Sequence, residues 1–270
     1  LDAVAQIQTQ IRDGAVYELN FCQELYAEAV QLDPLATFER LNAIAATPFA
    51  AYYHHDEYHA LCGSPERFLC QRGRQIIAQP FKGTRRRGQT PAEDTALQMD
   101  LAASEKDRAE NIMIVDLMRN DLTKVCQTGT IQVPELFGIY GFERGWQMIS
   151  TVTGTLRPDC EGVDALQTAF PIGSMTGAPK VSSLRLIEAL EVVRRGLYAG
   201  AIGYIDPRGD LDFNVVIRSL LYDEKRGYAS CQVGGAIVYD SDPEAEYEEC
   251  WVKAQTVLEA LGNSQPQTQP

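Results

Sequence analysis

Three runs of strand-forming residues near the carboxyl end limit the folds open to this chain. They span residues 198–205, 211–222 and 228–239, and each is rich in β-branched, aromatic and other apolar side chains. Two short polar turns join them, Pro-Arg-Gly-Asp at 207–210 and Glu-Lys-Arg-Gly at 224–227. Turns this short connect antiparallel neighbours, since parallel strands need a long crossover. We therefore predict three long antiparallel strands here.

The rest of the chain predicts further strands and helices that do not alternate strictly with them. Short strand patterns follow one another as a meander between residues 50 and 79. The best helix pattern covers residues 104–122, with Ser104 as its cap and Asp107 placed as in a capping box. A last helix begins near Pro243. This order predicts an α+β fold, an antiparallel, sheet-rich core of stacked sheets with helices packed outside.

Composition excludes several classes of partner. The formal net charge of -13 argues against nucleic acid and against an anionic membrane surface. No stretch is apolar for long enough to cross a bilayer, and we expect no signal peptide. The seven cysteines are spread out and lack Cys-x-x-Cys spacing, which favours free thiols in a reducing cytoplasm. Because no linker is visible, we expect one domain over residues 1–262 and a frayed polar tail over 263–270.

One dense basic island interrupts this acidic chain, Gln-Pro-Phe-Lys-Gly-Thr-Arg-Arg-Arg-Gly at residues 79–88. Pro80 ends regular strand pairing because it has no N–H, and Gly83 permits a turn or a close approach to a ligand. In one interpretation the island is a solvated turn whose basic side chains pair with surface carboxylates. In the other it is an anion site, where burial or the neighbouring arginines activate Lys82 as a nucleophile or base. These residues alone leave both open.

Two predicted helices each carry a pair of acidic residues three positions apart, Asp107 with Glu110 and Glu246 with Glu249. Residues at this spacing share a helix face, and two such faces brought together would suit Mg²⁺. Spacing alone, however, favours ordinary surface carboxylates, because such pairs are common in acidic proteins.

Three further features are compatible with a ligand site. The loop at residues 173–180 places two glycines, Ser174 and Thr176 before a helix, where backbone N–H groups and hydroxyls could bind an anion. Gly234 and Gly235 interrupt a strand pattern, as happens where something approaches closely or where the chain bulges. Arg218 lies in an otherwise apolar strand, where an arginine is usually paired or binds a carboxylate.

Taken together, six segments resemble those of the chorismate-utilising enzymes, whose members form anthranilate, aminodeoxychorismate, isochorismate or salicylate. They occur in the family's order and cover nearly the whole chain. The segments are Ser-Pro-Glu-Arg-Phe at 64–68, Pro-Phe-Lys-Gly-Thr-Arg at 80–85, residues 106–121, the loop at 173–180, Tyr-Ala-Gly-Ala-Ile-Gly-Tyr at 198–204, and Ile-Arg-Ser at 217–219.

The resemblance implies a chorismate-binding fold and a role for each matching residue. Mg²⁺ would be held by Glu110 and Glu249, with Asp107 and Glu246 close by. Glu66 would act as general acid or base at the leaving hydroxyl. The substrate's carboxylates would be held by Gly83, Thr84, Tyr198, Arg218, Gly234, Gly235, Ala236 and Lys253.

Lys82 distinguishes between members of this family. Anthranilate-forming and isochorismate-forming members resemble one another in a small residue at this position, whereas aminodeoxychorismate-forming members carry a lysine. The resemblance therefore implies Mg²⁺-dependent amination of chorismate at C4, toward p-aminobenzoate and folate. Lys82 would be the covalent nucleophile, and a glutamine amidotransferase subunit would supply ammonia.

Two departures from related members agree with this assignment. Gln147 replaces a histidine that anthranilate-forming members associate with pyruvate loss. Glu18 replaces a lysine that activates water in isochorismate-forming members. The alternatives are anthranilate formation and a non-catalytic chorismate-binding module.

Overall fold

The structure is a computed structural model that describes residues 1–262. The elements of the first half are α1 (Asp2–Arg12), β1 (Glu18–Ala27), α2 (Pro34–Ala45), β2 (Phe49–His55), β3 (Tyr58–Ser64), β4 (Arg67–Arg72), β5 (Gln75–Ala78), β6 (Phe81–Arg86), α3 (Pro91–Ala103) and α4 (Glu105–Thr123). Those of the second half are β7 (Gln132–Gly141), β8 (Gly145–Thr155), α5 (Gly162–Ala169), a 3₁₀ turn (Gly173–Met175), β9 (Gly177–Ala178), α6 (Lys180–Leu190), β10 (Gly203–Ile205), β11 (Leu211–Asn214), β12 (Ser219–Asp223), β13 (Tyr228–Ile237) and α7 (Pro243–Ala260).

The described chain divides into two compact units. The first unit comprises residues 1–65, 175–202 and 216–262, and the second comprises residues 66–174 and 203–215. Each holds one sheet, ordered β2-β3-β12-β13-β1-β9 in the first unit and β10-β11-β4-β5-β8-β6 in the second, with β7 also paired to β8. All pairings are antiparallel, which confirms the predicted α+β class. The prediction of one domain over residues 1–262 stays a prediction.

The first unit buries one face of its sheet under α2 and α7. Helix α7 contributes Cys250, Ala254 and Val257, which recur at helical spacing and so share a face. Strand β13 contributes Cys231 and Val233, whose alternation places both on the covered side. This packing determines which side of β13 faces α7, and β13 is the strand that carries the predicted glycine site.

In the second unit, α4 packs against β8. The Ser104 hydroxyl accepts from the Asp107 N–H at 3.3 Å, which confirms the predicted cap. Ile114, Met118 and Leu122 form the buried stripe of this helix. Asp107 and Glu110 lie near the polar start of α4. The buried turns that follow them anchor this end of the helix to the core.

The prediction of three long carboxyl-terminal strands is wrong in two of them. Only the end of run 198–205 is a strand, and run 211–222 is divided between β11 in the second unit and β12 in the first. Between these strands the Val215 N–H donates to the Glu66 carbonyl at 3.1 Å and the Val216 N–H to the Gly200 carbonyl at 2.8 Å. Arg218 then adopts a φ of 52°, in the left-handed region that strands avoid. The chain thus passes from one sheet to the other within a run whose residues favour strands throughout, so composition does not reveal the division.

All seven cysteines are free and buried, which confirms the prediction of free thiols. Within residues 1–262, no helix is both long enough and apolar enough to span a bilayer. The predicted frayed tail at 263–270 lies outside the described residues.

Candidate active site

The basic island forms a bulged strand. Pairing along β6 runs from Phe81 opposite Ile149 to Thr84 opposite Gln147, so Lys82 and Gly83 together face a single residue of β8. Gly83 has a φ of 83°, the conformation that a glycine adopts most readily in such a bulge. A bulge interrupts the alternation of side chains, and it therefore sets the direction of Lys82 independently of the rest of the strand.

The three arginines of the island pair with carboxylates on α3 and α4. The pairing with carboxylates that the first interpretation predicted is confirmed for the arginines, but they lie on or next to strand β6 and not in a solvated turn. The pairs are Arg85 with Asp100 at 2.6 Å and with Asp107 at 3.1 Å, Arg86 with Glu93 at 2.5 Å, and Arg87 with Asp94 at 2.5 Å.

Lys82 behaves differently from the arginines. Its side chain is 13% exposed, and Nζ lies 3.7 Å from Glu110 Oε2. Lys106 also lies near Glu110, at 3.9 Å, but its side chain is 66% exposed. The solvated-turn interpretation is therefore wrong for Lys82, whose amine is largely withdrawn from water beside a carboxylate.

Gly83 is required by a contact as well as by its backbone angle. A Cβ at this position would lie 2.8 Å from Asp107 Cγ, inside van der Waals contact. The absence of a side chain thus lets the first turn of α4 approach the residue next to Lys82. Thr84 is exposed, and its partner in register is Gln147, whose buried Oε1 accepts no hydrogen bond from residues 1–262.

Glu66 lies deep in the second unit. Its side chain is buried, and Oε1 accepts a hydrogen bond from Ser174 Oγ at 2.9 Å. Burial raises the pKa of Glu66 to about 7, although the Ser174 hydrogen bond and the positive charge of Lys82 act in the opposite direction. Near neutral pH the group can therefore donate or accept a proton, as a general acid or base must. In the second unit Lys82 lies near both Glu110 and Glu66, and the catalytic roles of these residues stay a prediction.

The paired glycines of β13 allow two close approaches in the first unit. A Cβ at Gly234 would lie 2.3 Å from the Phe21 carbonyl oxygen on β1, and a Cβ at Gly235 would lie 3.0 Å from Glu246 Oε2 on α7. The prediction of a close approach is confirmed, and the approaching groups are the neighbouring strand and a carboxylate of α7. Ala236 follows in register opposite Asn20.

Lys253 links the same strand to α7. Its Nζ donates to the Gly234 carbonyl at 2.8 Å and lies 2.6 Å from Glu249 Oε1. Gly234, Gly235, Glu246, Glu249 and Lys253 therefore form one polar cluster within the first unit.

Within residues 1–262, the guanidinium of Arg218 has no hydrogen-bonded or ion-paired carboxylate. Arg218 is partly buried, and its guanidinium makes no hydrogen bond or ion pair with any residue in the described range 1–262. Burial lowers the pKa of this guanidinium, although negative charge at Tyr198 or Glu249 would act in the opposite direction. Tyr198 is itself buried, and its hydroxyl accepts a weak contact from Cys22 Sγ at 3.9 Å. A partly desolvated cation without a hydrogen-bonded anion is costly, so this arrangement is typical of an anion-binding site.

The four predicted metal carboxylates divide between α4 and α7, and all four have partners in the protein. Carboxylate oxygens are the donors that Mg²⁺ prefers, so the donor chemistry fits. Within residues 1–262, no group of three or more His, Cys, Asp or Glu side chains is arranged to hold an ion. The partners are Arg85 for Asp107, Lys82 and Lys106 for Glu110, Ser241 for Glu246, and Lys253 for Glu249.

A buried hydrogen-bond network that supports this site was not predicted from the sequence. Asn111 Nδ2 donates to the Pro80 carbonyl at 3.4 Å, and Ser150 Oγ donates to Asn111 Oδ1. The Ser150 N–H also donates to the Pro80 carbonyl, at 3.1 Å. The network anchors Pro80, two residues before Lys82, to the residue after Glu110. An asparagine within the apolar stripe of the predicted helix was the available signal.

Known proteins share this architecture. The chain matches the chorismate binding enzyme family over residues 1–259. It is 44% identical, over 247 residues, to the probable aminodeoxychorismate synthase, chloroplastic, of Oryza sativa subsp. japonica, covering 90% of this chain and 27% of that protein. It is 41% identical to aminodeoxychorismate synthase component 1 of Klebsiella aerogenes, covering 95% of this chain and 56% of that protein.

A solved structure supports the same relationship. Anthranilate synthase component I from Streptococcus pneumoniae TIGR4 matches with a TM-score of 0.86 and 32% identity, over 95% of this chain and 56% of that one. The chain thus spans about half the length, or less, of the relatives that it matches here.

Proposed function

Because the chain belongs to the chorismate binding enzyme family, we propose that it aminates chorismate at C4 to form aminodeoxychorismate. The observation that carries this proposal is the placement of Lys82. Lys82 is largely buried on a bulged strand, 3.7 Å from Glu110, and this placement supports a reacting group over a surface charge. The names of the relatives from Oryza sativa and Klebsiella aerogenes support the same reaction.

In the proposed reaction, the Lys82 ammonium first gives a proton to solvent, and the resulting neutral amine attacks C2 of chorismate. The ring double bonds shift, the C4–O bond breaks, and the departing hydroxyl takes a proton from Glu66 and leaves as water. Ammonia then forms a bond to C4, the bond between C2 and Lys82 breaks, and the ammonium proton passes to ionised Glu66. The enolpyruvyl group is retained. Covalent catalysis of this kind divides one difficult substitution into two easier steps.

The proposal includes a metal ion. Membership of the family indicates a metal-dependent enzyme, and we propose Mg²⁺ with Glu110 and Glu249 as ligands and Asp107 and Glu246 as supporting carboxylates. When bound, Mg²⁺ supplies positive charge that offsets the substrate's ring carboxylate and eases loss of the C4 hydroxyl. Lys82 and Lys253 balance the charges of Glu110 and Glu249.

Removing one metal ligand should weaken turnover and the response to Mg²⁺ together. We expect Glu110→Gln and Glu249→Gln each to lower kcat/KM by about 10- to 100-fold and to raise the Mg²⁺ concentration for half-maximal activity, since each replaces a charged oxygen with a neutral one. Titrating Mg²⁺ in steady-state assays measures both effects. Glu105→Gln and Glu248→Gln, exposed carboxylates on the same two helices, are the matched controls. An unchanged Mg²⁺ response in both site variants would remove these residues from the metal site.

The remaining parts of the proposal concern substrate and partners. We propose that Arg218, Tyr198 and Lys253 hold the carboxylates of chorismate, together with Gly83, Thr84, Gly234, Gly235 and Ala236. The words "component 1" in the Klebsiella aerogenes name imply a second component for that protein. For this chain we propose a glutamine amidotransferase subunit that supplies ammonia, a cytoplasmic location, and no nucleic acid or membrane partner.

A product assay tests the proposed function. The chain is incubated with chorismate, Mg²⁺ and a high concentration of ammonium at mildly alkaline pH, and products are followed by mass spectrometry. We expect an amine-substituted product that retains the enolpyruvyl group and yields p-aminobenzoate when the separate lyase is added. Anthranilate with pyruvate would show the anthranilate-forming reaction instead. Chorismate binding by calorimetry without any turnover would show a binding module.

A further inference from the structure

The hydrogen bond between Ser174 and Glu66 involves a residue to which the proposed reaction assigns no role. Ser174 belongs to the glycine-containing loop that the sequence marked as a possible anion site. In the structure its hydroxyl donates to the Glu66 carboxyl at 2.9 Å, and both side chains are buried. This hydroxyl is thus directed at the candidate acid or base.

The surroundings of Glu66 are otherwise mostly apolar. A small cavity beside Glu66 and Ser174 is lined by apolar side chains from β4, β5, α4 and the segment before the loop, among them Phe68, Ile114 and Ile172. The charged groups nearby are Lys82, which lies on β6, and Arg67, which borders the same cavity. The Arg67 guanidinium is held by Asp212, at 2.9 and 3.0 Å. In such a setting a hydrogen bond to the ionised form has a large effect on the pKa of the carboxyl.

Both ends of the hydrogen bond are held by the backbone. The Glu66 carbonyl accepts from the Val215 N–H at 3.1 Å, and Asp212 secures the next residue, Arg67. On the other side, Ser174 is buried within the 3₁₀ turn Gly173–Met175. Because both side chains are buried and each extends from an ordered stretch of backbone, the Ser174 hydroxyl restricts the orientation of the Glu66 carboxyl.

We propose, on the basis of the proposed function, that Ser174 is a positioning residue that confines the exchangeable proton of Glu66 to Oε2. Oε1 accepts from Ser174 in either protonation state, so the proton that Glu66 gives to the leaving hydroxyl is carried by Oε2. The same bond stabilises the carboxylate after the proton has left, which prepares it to take a proton from the incoming ammonia.

Removing the hydroxyl should therefore move the titration of Glu66 toward higher pH. Hydrogen bonds to ionised groups are strong enough that Ser174→Ala should shift the Glu66 midpoint upward by about one to two pH units. The limb of the kcat profile that depends on Glu66 should move by the same amount, and kcat should fall more than KM changes. If the alkaline limb moves, protonated Glu66 is the active form in the limiting step; if the acid limb moves, ionised Glu66 is.

The experiment measures the titration directly and separately from activity. Full-length protein labelled with ¹³C at glutamate carboxyls is titrated by NMR, and Glu66→Gln identifies the Glu66 signal. Ser174→Thr keeps the hydroxyl and should restore the wild-type midpoint, whereas Ser174→Cys, a weaker donor, should fall between. Ser183→Ala is the matched control, because Ser183 is also buried but donates only to the backbone carbonyls of Glu18 and Pro179.

The outcomes separate this inference from the proposed function. An upward shift in Ser174→Ala that Ser174→Thr reverses supports the inference, even if the product assay shows anthranilate or no turnover and the proposed function fails. A midpoint unchanged in both Ser174→Ala and Ser174→Cys, or moved equally by Ser183→Ala, overturns it, even in an enzyme that forms aminodeoxychorismate. Should Ser174→Ala fail to fold, the comparison of Ser174→Cys with Ser174→Thr decides in the same way.

Discussion

Replacing Lys82 with alanine is expected to lower kcat for aminodeoxychorismate formation by a factor of about 10³ to 10⁶, as loss of a nucleophile does in other covalent enzymes. The amine is the only group in the proposed reaction that forms a bond to C2, so the first substitution has no substitute for it. KM should change much less, because Lys82 is not assigned to the substrate's carboxylates. Steady-state kinetics with ammonium as the nitrogen source measure both, and any residual amination should occur at C2, on the route to anthranilate.

Two matched variants make this result specific to the nucleophile. Lys82→Arg keeps a positive charge beside Glu110, yet a guanidinium is always protonated and does not attack carbon, so it should be as inactive as Lys82→Ala. Lys106→Ala removes the other lysine near Glu110, which is exposed, and should stay within a few-fold of wild type. A large loss in Lys106→Ala, or near-normal activity in Lys82→Arg, would mean that charge at Glu110 matters and covalent attack does not.

The sequence predicted the individual residues of this site better than the contacts between them. Lys82 stands between a proline and a glycine, and that pattern predicted a break in strand pairing followed by a turn or a close approach to a ligand. The structure shows why it was informative: only glycine tolerates both the φ of 83° and the carboxylate of Asp107. Glu66 and Ser174 were both singled out as well. Their hydrogen bond joins residues 108 positions apart, and no local pattern encodes such a pairing.

The same distinction holds for the fold. The helix at 104–122 was predicted with its cap, because capping and hydrophobic spacing are local. Strand β7 escaped prediction, since its register with β8 shifts twice, between Gln132 and Glu135 and again between Glu135 and Gly138. Such shifts and Pro134 remove the alternation by which strands are found. Run 211–222 was predicted as one strand because its strand propensity is continuous. In the structure, the strand with which it pairs changes from β4 to β3 along the run.

Replacing Arg218 should separate binding from stability. We expect Arg218→Ala and Arg218→Gly each to raise KM for chorismate by about 10- to 100-fold, because each leaves a substrate carboxylate without a charge-assisted hydrogen bond. Arg218→Lys should recover only part of this loss, since an ammonium cannot bind a carboxylate through two parallel bonds. Arg226→Ala is the control: its guanidinium lies over the Tyr228 ring at 5.8 Å, and KM should not change.

Without substrate, we expect Arg218→Gly to be more stable than wild type, although it should bind chorismate more weakly. At a φ of 52° a non-glycine residue is strained, and the guanidinium of Arg218 is partly desolvated without an anion among residues 1–262. Arg218→Gly removes both costs, so it should raise the free energy of unfolding by about 1–3 kcal/mol in the absence of substrate, whereas Arg218→Ala removes the cation and keeps the strain. Denaturant unfolding with and without chorismate measures these free energies. Saturating chorismate should reduce or reverse the difference in unfolding free energy between Arg218→Gly and wild type. A normal KM in Arg218→Gly, or lower stability than wild type without substrate, would show that Arg218 supports the fold and does not bind chorismate.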